Sequence, residues 1–400
     1  MNVLFLSPYP PYPPTFGGSV RIHHLMKQVA RRHKVWSLSY TSTVDGLEGR
    51  DEFEAFVEAT VEVPRPPERK RLTQMLSLAS SRSFQKMAHY SDAMQRELDS
   101  MVYENSIDVV VVEFSQMACF DIPPGPAVLI DEHNVEWNLL QREWEAASPA
   151  SLRRLYAGQE FRKFRREEMA ALARADLVTV TSPRDRELLL EDDQKLDIHV
   201  VENGVDIEFF QPVERAPDPD TLVFTGTMHY HPNTQAARWF VEDILPALAT
   251  EVPGVRFVGA GGQVPDELAA LATEQVQFTG YVPDIREWFH RAQVFVVPLL
   301  VGGGTRFKVV EAMAAGKPVV STRLGAEGIG ATHGENILFA DTPNDFAREV
   351  ADLLADPERA AELARAGRSF VEQNFAWEVI GERLETALQS ALNKREARSL

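Results

Sequence analysis

Apolar positions along the chain alternate between two spacings. Val3–Ser7 is a short continuous apolar run, as expected of a strand buried on both faces. After a loop rich in Pro, Tyr and Gly, apolar residues recur at helical spacing from Ser19 to Arg32, and Val35–Tyr40 predicts the next strand. Further strand runs are Val61–Val63, Ile107–Val112, Ala127–Ile130, Leu177–Val180 and Ile198–Val201. Amphipathic segments Ser91–Tyr103, Leu152–Arg174 and Pro183–Leu190 lie between them. The polar, proline-rich FFQPVERAPDPDT, Phe209–Thr221, interrupts the rhythm and reads as a linker. Strands resume at Leu222–Thr225, Val255–Val258, Val276–Phe278, Val294–Val297 and Pro318–Ser321. Helical patterns Thr234–Leu248, Pro265–Ala272, Ile285–Ala292 and Thr305–Ala315 separate these, and Asp345–Asn393 is nearly all helix with a break near Asn374–Ala376. Alternating strands and helices predict parallel sheets covered on both faces, in two doubly wound α/β domains joined near residue 210.

Composition narrows this reading. The chain has 400 residues, which suits two domains. Its formal net charge of −18 is opposed to general nucleic-acid binding, where phosphate contacts dominate affinity. One cysteine, Cys119, excludes an intrachain disulfide or a cysteine zinc cluster and suits a reducing compartment. No apolar run approaches the ~20 residues of a membrane span, and MNVLFLSPYPPYPP has no basic n-region or cleavage site. A cytoplasmic protein is the expectation.

Open parallel sheets bind ligands beyond the carboxyl ends of their strands, so chemistry is expected in the strand-to-helix turns. The strongest candidate is VPLLVGGGTRFKVVEAMAAGKPVVST, Val297–Thr322. A strand ends at Pro298, Gly302, Gly303 and Gly304 follow, and a helix is predicted from Thr305. Glycines admit close backbone approach, and the unpaired N–H groups of a helix start attract anions. Arg306 adds a planar donor fork suited to phosphate and Lys308 a point charge. Glu311 projects from the same helix face as Lys308 and can accept from paired hydroxyls, such as those of a ribose. The competing reading is a plain glycine loop before an amphipathic helix bearing a Lys308–Glu311 surface pair.

Two weaker turns join it. PYPPYPPTFGGSVRIHH sets Gly17 and Gly18 before a helix predicted from Ser19, either a second anion-facing helix start or simply a tight turn. VLIDEHNVEW gathers Asp131, Glu132, His133, Asn134 and Glu136 at a strand end. His133 is there either an acid/base or orienting group or a satisfied structural residue, and its acidic neighbours predict the imidazolium form. Other patterns carry little. Asp218-Pro219-Asp220 fits the DxD of metal-dependent sugar transferases but sits in the proline-rich stretch. His23/His24 and His229/His231 lack carboxylates at ligand spacing, Ser182 has no nucleophile elbow, and Cys119 lies among apolar residues. No metal ligand set is expected.

Taken in order, these segments resemble glycosyltransferase family 4, most nearly bacterial members of polysaccharide or glycan assembly. PPTFGGSVR, RADLVTVTSPRDRELL, VVENGVDIEFFQP with Asn203, Gly204 and Asp206, FVGAGG, FTGYVPDIREWFHRAQVFVVP and EAMAAGKPVVST follow the family's order and spacing, so the likeness covers most of the chain. It implies an α/β GT-B fold: two facing Rossmann-like doubly wound domains, 1–205 and 206–376, with a C-terminal helix, 377–400, crossing back to the first. It implies a retaining enzyme that moves a sugar from a nucleoside diphosphate sugar to a glycan, lipid-linked or small-molecule acceptor. By the resemblance Glu311 holds the nucleotide ribose and His133 contacts the transferred sugar. Gly280, Tyr281 and Val282 meet the base, and Gly17 and Gly18 face the diphosphate. Gly226, Gly303, Gly304 and Thr305 complete the donor-binding set.

The sequence departs from the family at two places. The family's Glu, seven residues, Glu pattern has Gly303 at its first position, and the Arg and Lys that many members carry after the first strand of the second domain are replaced within TGTMHYHPNTQA. Arg306 and Lys308 are then expected to stabilise the departing diphosphate, with no metal or other cofactor. The stretch Arg65–Tyr90 interleaves Arg69, Lys70, Arg71, Arg82 and Lys86 with Leu72, Met75, Leu76 and Leu78. It reads either as a solvated helix with one core face or as a peripheral contact with an anionic membrane. The rival functions are a non-catalytic GT-B-like partner subunit and a GT-B-fold nucleotide-sugar epimerase or phosphorylase.

Overall fold

The computed structural model describes residues 1–42, 49–66, 70–146, 148, 151–301 and 306–399. Gly302, Gly303, Gly304 and Thr305, and with them Arg69, lie outside the described residues. The chain divides into two compact units: Met1–Glu202 with Ile380–Leu400, and Asn203–Val379.

The first unit is built on β1 (Asn2–Ser7), β2 (Lys34–Tyr40), β3 (Ala59–Val63), β4 (Val109–Glu113), β5 (Ala127–Glu132), β6 (Leu177–Val180) and β7 (Ile198–Val200). They form one parallel sheet in the order β3-β2-β1-β4-β5-β6-β7. The apolar run of β4, VVVVE, is buried throughout, as a central strand covered by helices on both faces must be. Strand order reverses between β1 and β4, and this reversal is where a parallel sheet leaves a crevice. Helix Gly17–Ala30 follows β1 and lays Ile22, Leu25, Met26 and Val29 on the sheet. The part of helix Trp377–Ser399 from Ile380 onward belongs to this unit, with Glu385 bonded to His33 at 2.8 Å and Arg398 to Asp176 at 2.8 Å.

One helix of this unit differs from the simple expectation. Helix Lys70–Ala79 buries Ser77, whose carbonyl accepts from Lys163 Nζ of helix Leu152–Leu172, and the Leu78 carbonyl accepts from Gln159 Nε2 at 3.1 Å. Leu72, Met75, Leu76 and Leu78 are consequently exposed, so the predicted core face is turned outward. Arg65 belongs to the scaffold, donating to the Pro8 carbonyl and lying over the Tyr40 ring.

The second unit repeats the plan with β8 (Thr221–Thr225), β9 (Arg256–Ala260), β10 (Val276–Phe278), β11 (Val294–Val297), β12 (Val319–Ser321) and β13 (Leu338–Phe339). The order is β10-β9-β8-β11-β12-β13, all parallel, with the reversal between β8 and β11. The helical pattern Thr234–Leu248 resolves into helix His231–Trp239, a π-helical turn at Phe240–Ile244 and helix Leu245–Glu251. Pro246 has no N–H for an i−4 bond, and the widened turn absorbs that loss. Phe209–Thr221 is not a loose linker. Phe210 is buried against Phe289, its carbonyl accepts from Arg368, and Asp218 accepts from Arg291 at 2.7 Å, all within this unit.

Candidate active site

In the second unit, chemistry collects at the carboxyl end of β8. Gly226 follows that strand at φ +154°, and its N–H donates to the Ala260 carbonyl at the end of β9. A Cβ there would stand 2.7 Å from Asn233 Nδ2 and 3.1 Å from Lys308 Nζ, so only glycine lets these groups close on the turn. Gly262, after β9, presses on the same turn: its Cβ would meet Thr227 Cα at 2.7 Å. Beyond β10, Gly280 adopts φ +70°, with Tyr281 83% exposed and Val282 half-buried.

Lys308 lies in the first turn of helix Phe307–Ala314. Its Nζ donates to Asn233 Oδ1 at 2.7 Å and stands 4.2 Å from the centre of the Phe224 ring. Asn233 is itself oriented, since its Nδ2 donates to the Thr227 carbonyl at 3.0 Å. Burial lowers the Lys308 ammonium to about 7; Glu311 opposes that fall and Arg306 assists it. Burial likewise raises the Glu311 carboxyl to about 7, against the pull of Lys308. Over the whole residue, Lys308 and Glu311 are each half-buried. Arg306 caps the helix and is buried, its Nη2 4.0 Å from Glu327 Oε2. Thus Gly226, Arg306, Lys308 and Glu311 share one neighbourhood, whereas Gly303, Gly304 and Thr305 fall outside the described residues.

The first unit carries a second polar centre. Arg21 is fully buried and grips Asp131 with two parallel bonds, Nε to Oδ2 and Nη2 to Oδ1, both 2.8 Å. Thr179 donates to Asp131 Oδ1 at 2.6 Å. His133 Nε2 stands 2.7 Å from Glu113 Oε2 and 3.5 Å from Asp131 Oδ2. The Phe114 ring lies across the imidazole, centroids 3.8 Å apart, and the Phe114 backbone is held at φ +68°. Gly17 and Gly18 open helix Gly17–Ala30 rather than preceding it, and a Cβ on Gly18 would collide with the Tyr9 hydroxyl at 1.9 Å.

This centre corrects the expected imidazolium. Burial drives His133 down to about 3, outweighing Asp131, while Arg21 pushes the same way, so the ring is neutral. Burial raises Asp131 but Arg21 prevails and holds it below the ordinary range, whereas Glu113, buried beside Asp131, is raised well above it. Glu113, Asp131 and His133 bring ligand-type atoms within 4.8 Å of one another. Both Asp131 oxygens are taken by Arg21, so the Asp131 charge is matched within the network. Other readings hold: burial pushes the Cys119 thiol up to about 12, Asp218 is bound to Arg291, and Ser182 caps helix Pro183–Asp192.

Sequence reasoning missed Arg21, Glu113 and Asn233. Arg21 had a visible signal, a cation on the apolar face of the helix, four residues before Leu25. Glu113 closes an otherwise apolar strand, and Asn233 lies within TGTMHYHPNTQA, the stretch that departs from the resembled family.

Residues 219–356 match the family model described as Glycosyl transferases group 1. A GDP-mannose-dependent monoacylated alpha-(1-6)-phosphatidylinositol monomannoside mannosyltransferase of Corynebacterium glutamicum is 28% identical over 209 residues, 47% of this chain and 55% of that one. The chain spans about half the length of the curated relatives it matches. Among solved structures, sucrose-phosphate synthase from Thermosynechococcus elongatus superposes with a TM-score of 0.67 at 18% identity, covering 98% of this chain and 99% of that one. Anabaena HepE in complex with UDP gives 0.66 at 16%, covering 98% and 100%. The likeness to these structures establishes the architecture. The chain therefore has the GT-B architecture, and its second unit carries the region that matches the group 1 glycosyl transferase model.

Proposed function

We propose that the protein is a retaining transferase of the family 4 type, moving a sugar from a nucleoside diphosphate sugar to a glycan, lipid-linked or small-molecule acceptor. The observation that carries this reading is the convergence of Lys308, Asn233 and Gly226 where strand order reverses in the second unit. A diphosphate there gains the Lys308 ammonium, the Arg306 guanidinium and the helix start, all fixed before charge develops on the leaving group. Positive charge from these side chains stands in for a metal, and no cofactor is assigned. Glu311 accepts the ribose hydroxyls, Gly280, Tyr281 and Val282 border the base, and Gly17, Gly18 and His133 of the first unit serve the diphosphate and the transferred sugar.

Two observations support the class of partners. HepE was solved with UDP, and the corynebacterial relative is named for a phosphatidylinositol mannoside substrate. The outward apolar face of helix Lys70–Ala79 supports peripheral contact with an anionic membrane. Screening nucleoside diphosphates and their sugars for a rise in Tm identifies the donor, since a ligand of the folded state stabilises it. Product analysis with and without acceptors then reads transfer and anomeric outcome. A raised Tm with neither hydrolysis nor transfer across a broad acceptor panel would make the chain a non-catalytic partner subunit, and an isomerised donor would make it an epimerase.

A further inference from the structure

We propose that Glu113 is the positioning residue of His133: its carboxylic acid donates to Nε2 and confines the imidazole proton to Nδ1, making that atom a hydrogen-bond donor. The use of that donor for an oxygen of the transferred sugar rests on the proposed function; the proton placement does not.

Glu113 meets both His133 and Asp131 by hydrogen bonds. Arg21 and Asp131 form a bidentate pair that uses the one guanidinium charge within the network. Glu113 has no accessible surface, its Oε2 is 2.7 Å from His133 Nε2, and its Oε1 has no hydrogen-bond partner among the described residues. An ionised carboxylate with one oxygen unsatisfied in that setting costs far more than a neutral acid. The groups facing Glu113 are Asp131 from β5, His133 after it, Arg21 from helix Gly17–Ala30 and Tyr9 after β1. Asp131 repels a second negative charge, and Arg21 is already matched. Phe114 lies against the ring, and its φ of +68° is a conformation non-glycine residues rarely adopt. With Nε2 engaged by Glu113, Nδ1 is the nitrogen left for an outside oxygen.

Raising the pH until Glu113 ionises reverses the arrangement. The carboxylate then accepts from Nε2–H, and Nδ1 becomes a bare acceptor. Glu113→Gln keeps a neutral donor at Nε2 and cannot ionise, so it separates proton control from mere packing.

Nitrogen NMR of the 15N-histidine-labelled full chain, assigned with His133→Gln, reads the two ring nitrogens directly. The expected wild-type spectrum at pH 7 has a protonated Nδ1 and a bare Nε2, reversing at higher pH. Glu113→Gln should hold the same tautomer without reversal. A wild-type ring protonated at Nε2 or at both nitrogens, or a Glu113→Gln ring that switches as the wild type does, overturns the assignment. In transfer assays at saturating donor, kcat should fall more steeply on the alkaline side for wild type than for Glu113→Gln, which keeps only the part of the fall that Lys308 contributes, with Glu113→Leu about tenfold lower at pH 7, the loss of one placing hydrogen bond. The expected tautomer without any transfer counts against the proposed function and leaves the proton placement standing.

Discussion

Lys308 Nζ and Asn233 Oδ1 lie 2.7 Å apart, joining the start of helix Phe307–Ala314 to the turn after β8. A neutral amide oxygen orients the amine without cancelling its charge, which a carboxylate would do. Asn233→Ala removes that acceptor and the brace to Thr227. Nucleoside diphosphate binding by calorimetry should weaken roughly tenfold or more, the scale of a hydrogen bond to a charged group. Near-UV circular dichroism should remain that of the wild type.

The same amine makes binding depend on pH in a defined direction. Lys308 titrates near 7 without ligand, so above that pH a diphosphate must re-protonate it, and affinity falls by up to about tenfold per pH unit. Glu311, also near 7, works in the opposite sense, since below that pH it must lose a proton before accepting two hydroxyls. Nucleotide affinity should therefore peak close to pH 7. Calorimetry in buffers of different ionisation enthalpy should show proton uptake alone in Glu311→Gln and proton release alone in Lys308→Met. An affinity independent of pH from 6 to 8.5 would remove Lys308 from the diphosphate.

Asp131 is the residue whose loss should most damage the first unit. Arg21 is fully buried, and Asp131→Ala removes its bidentate carboxylate partner, a change that costs about 3–5 kcal/mol in comparable buried pairs. Urea unfolding should show that loss at pH 7, and Arg21→Met with Asp131→Leu should recover part of it.

Buried Glu132 and Glu168 and half-buried Glu136 form a further acidic group. Burial raises all three, Glu136 to about 7, Glu168 to about 8 and Glu132 well above the ordinary carboxylate range. An acid whose value rises on folding stabilises the fold fully below its unfolded value, and that contribution is lost as pH climbs through the folded value. Stability should thus decline from about pH 4.5 to about pH 8, at up to 1.4 kcal/mol per pH unit for each group. Glu132→Gln should flatten part of the decline in chemical denaturation across that range.

The fold was legible because buried parallel strands write themselves largely as short apolar runs, and every strand except Leu338–Phe339 overlaps a run read from the sequence. Two residues are too short to carry a period. Lys308 and Glu311 were legible because a cation and an acid three apart at a helix start leave a local pattern. The first-unit centre was not, since Arg21 and Asp131 are 110 positions apart and His133 and Glu113 are 20 apart. Their protonation states follow from burial rather than from adjacency, which is why acidic neighbours suggested a charged histidine where the fold holds a neutral one.

Helix Lys70–Ala79 leads to the last prediction. Met75 is 69% exposed and Leu155, on the neighbouring helix Leu152–Leu172, is 72% exposed, with Leu72, Leu76 and Leu78 also outward. Arg71, Arg82, Arg153, Arg162 and Arg166 on the same segments are exposed in a chain of net charge −18. Local basic charge beside apolar side chains suits an anionic leaflet, where each cation near the surface adds about 1 kcal/mol. Sedimentation with phosphatidylglycerol-containing vesicles should pellet the wild type and leave it free with phosphatidylcholine alone. Leu72→Ser with Met75→Ser should lower binding at every salt concentration, whereas Arg82→Gln with Arg166→Gln should lower it mainly at low salt, because exposed charges are screened within a Debye length. Equal pelleting of all three proteins would show that this face does not meet the bilayer, and a salt-insensitive loss in the arginine variant would point to packing instead of charge.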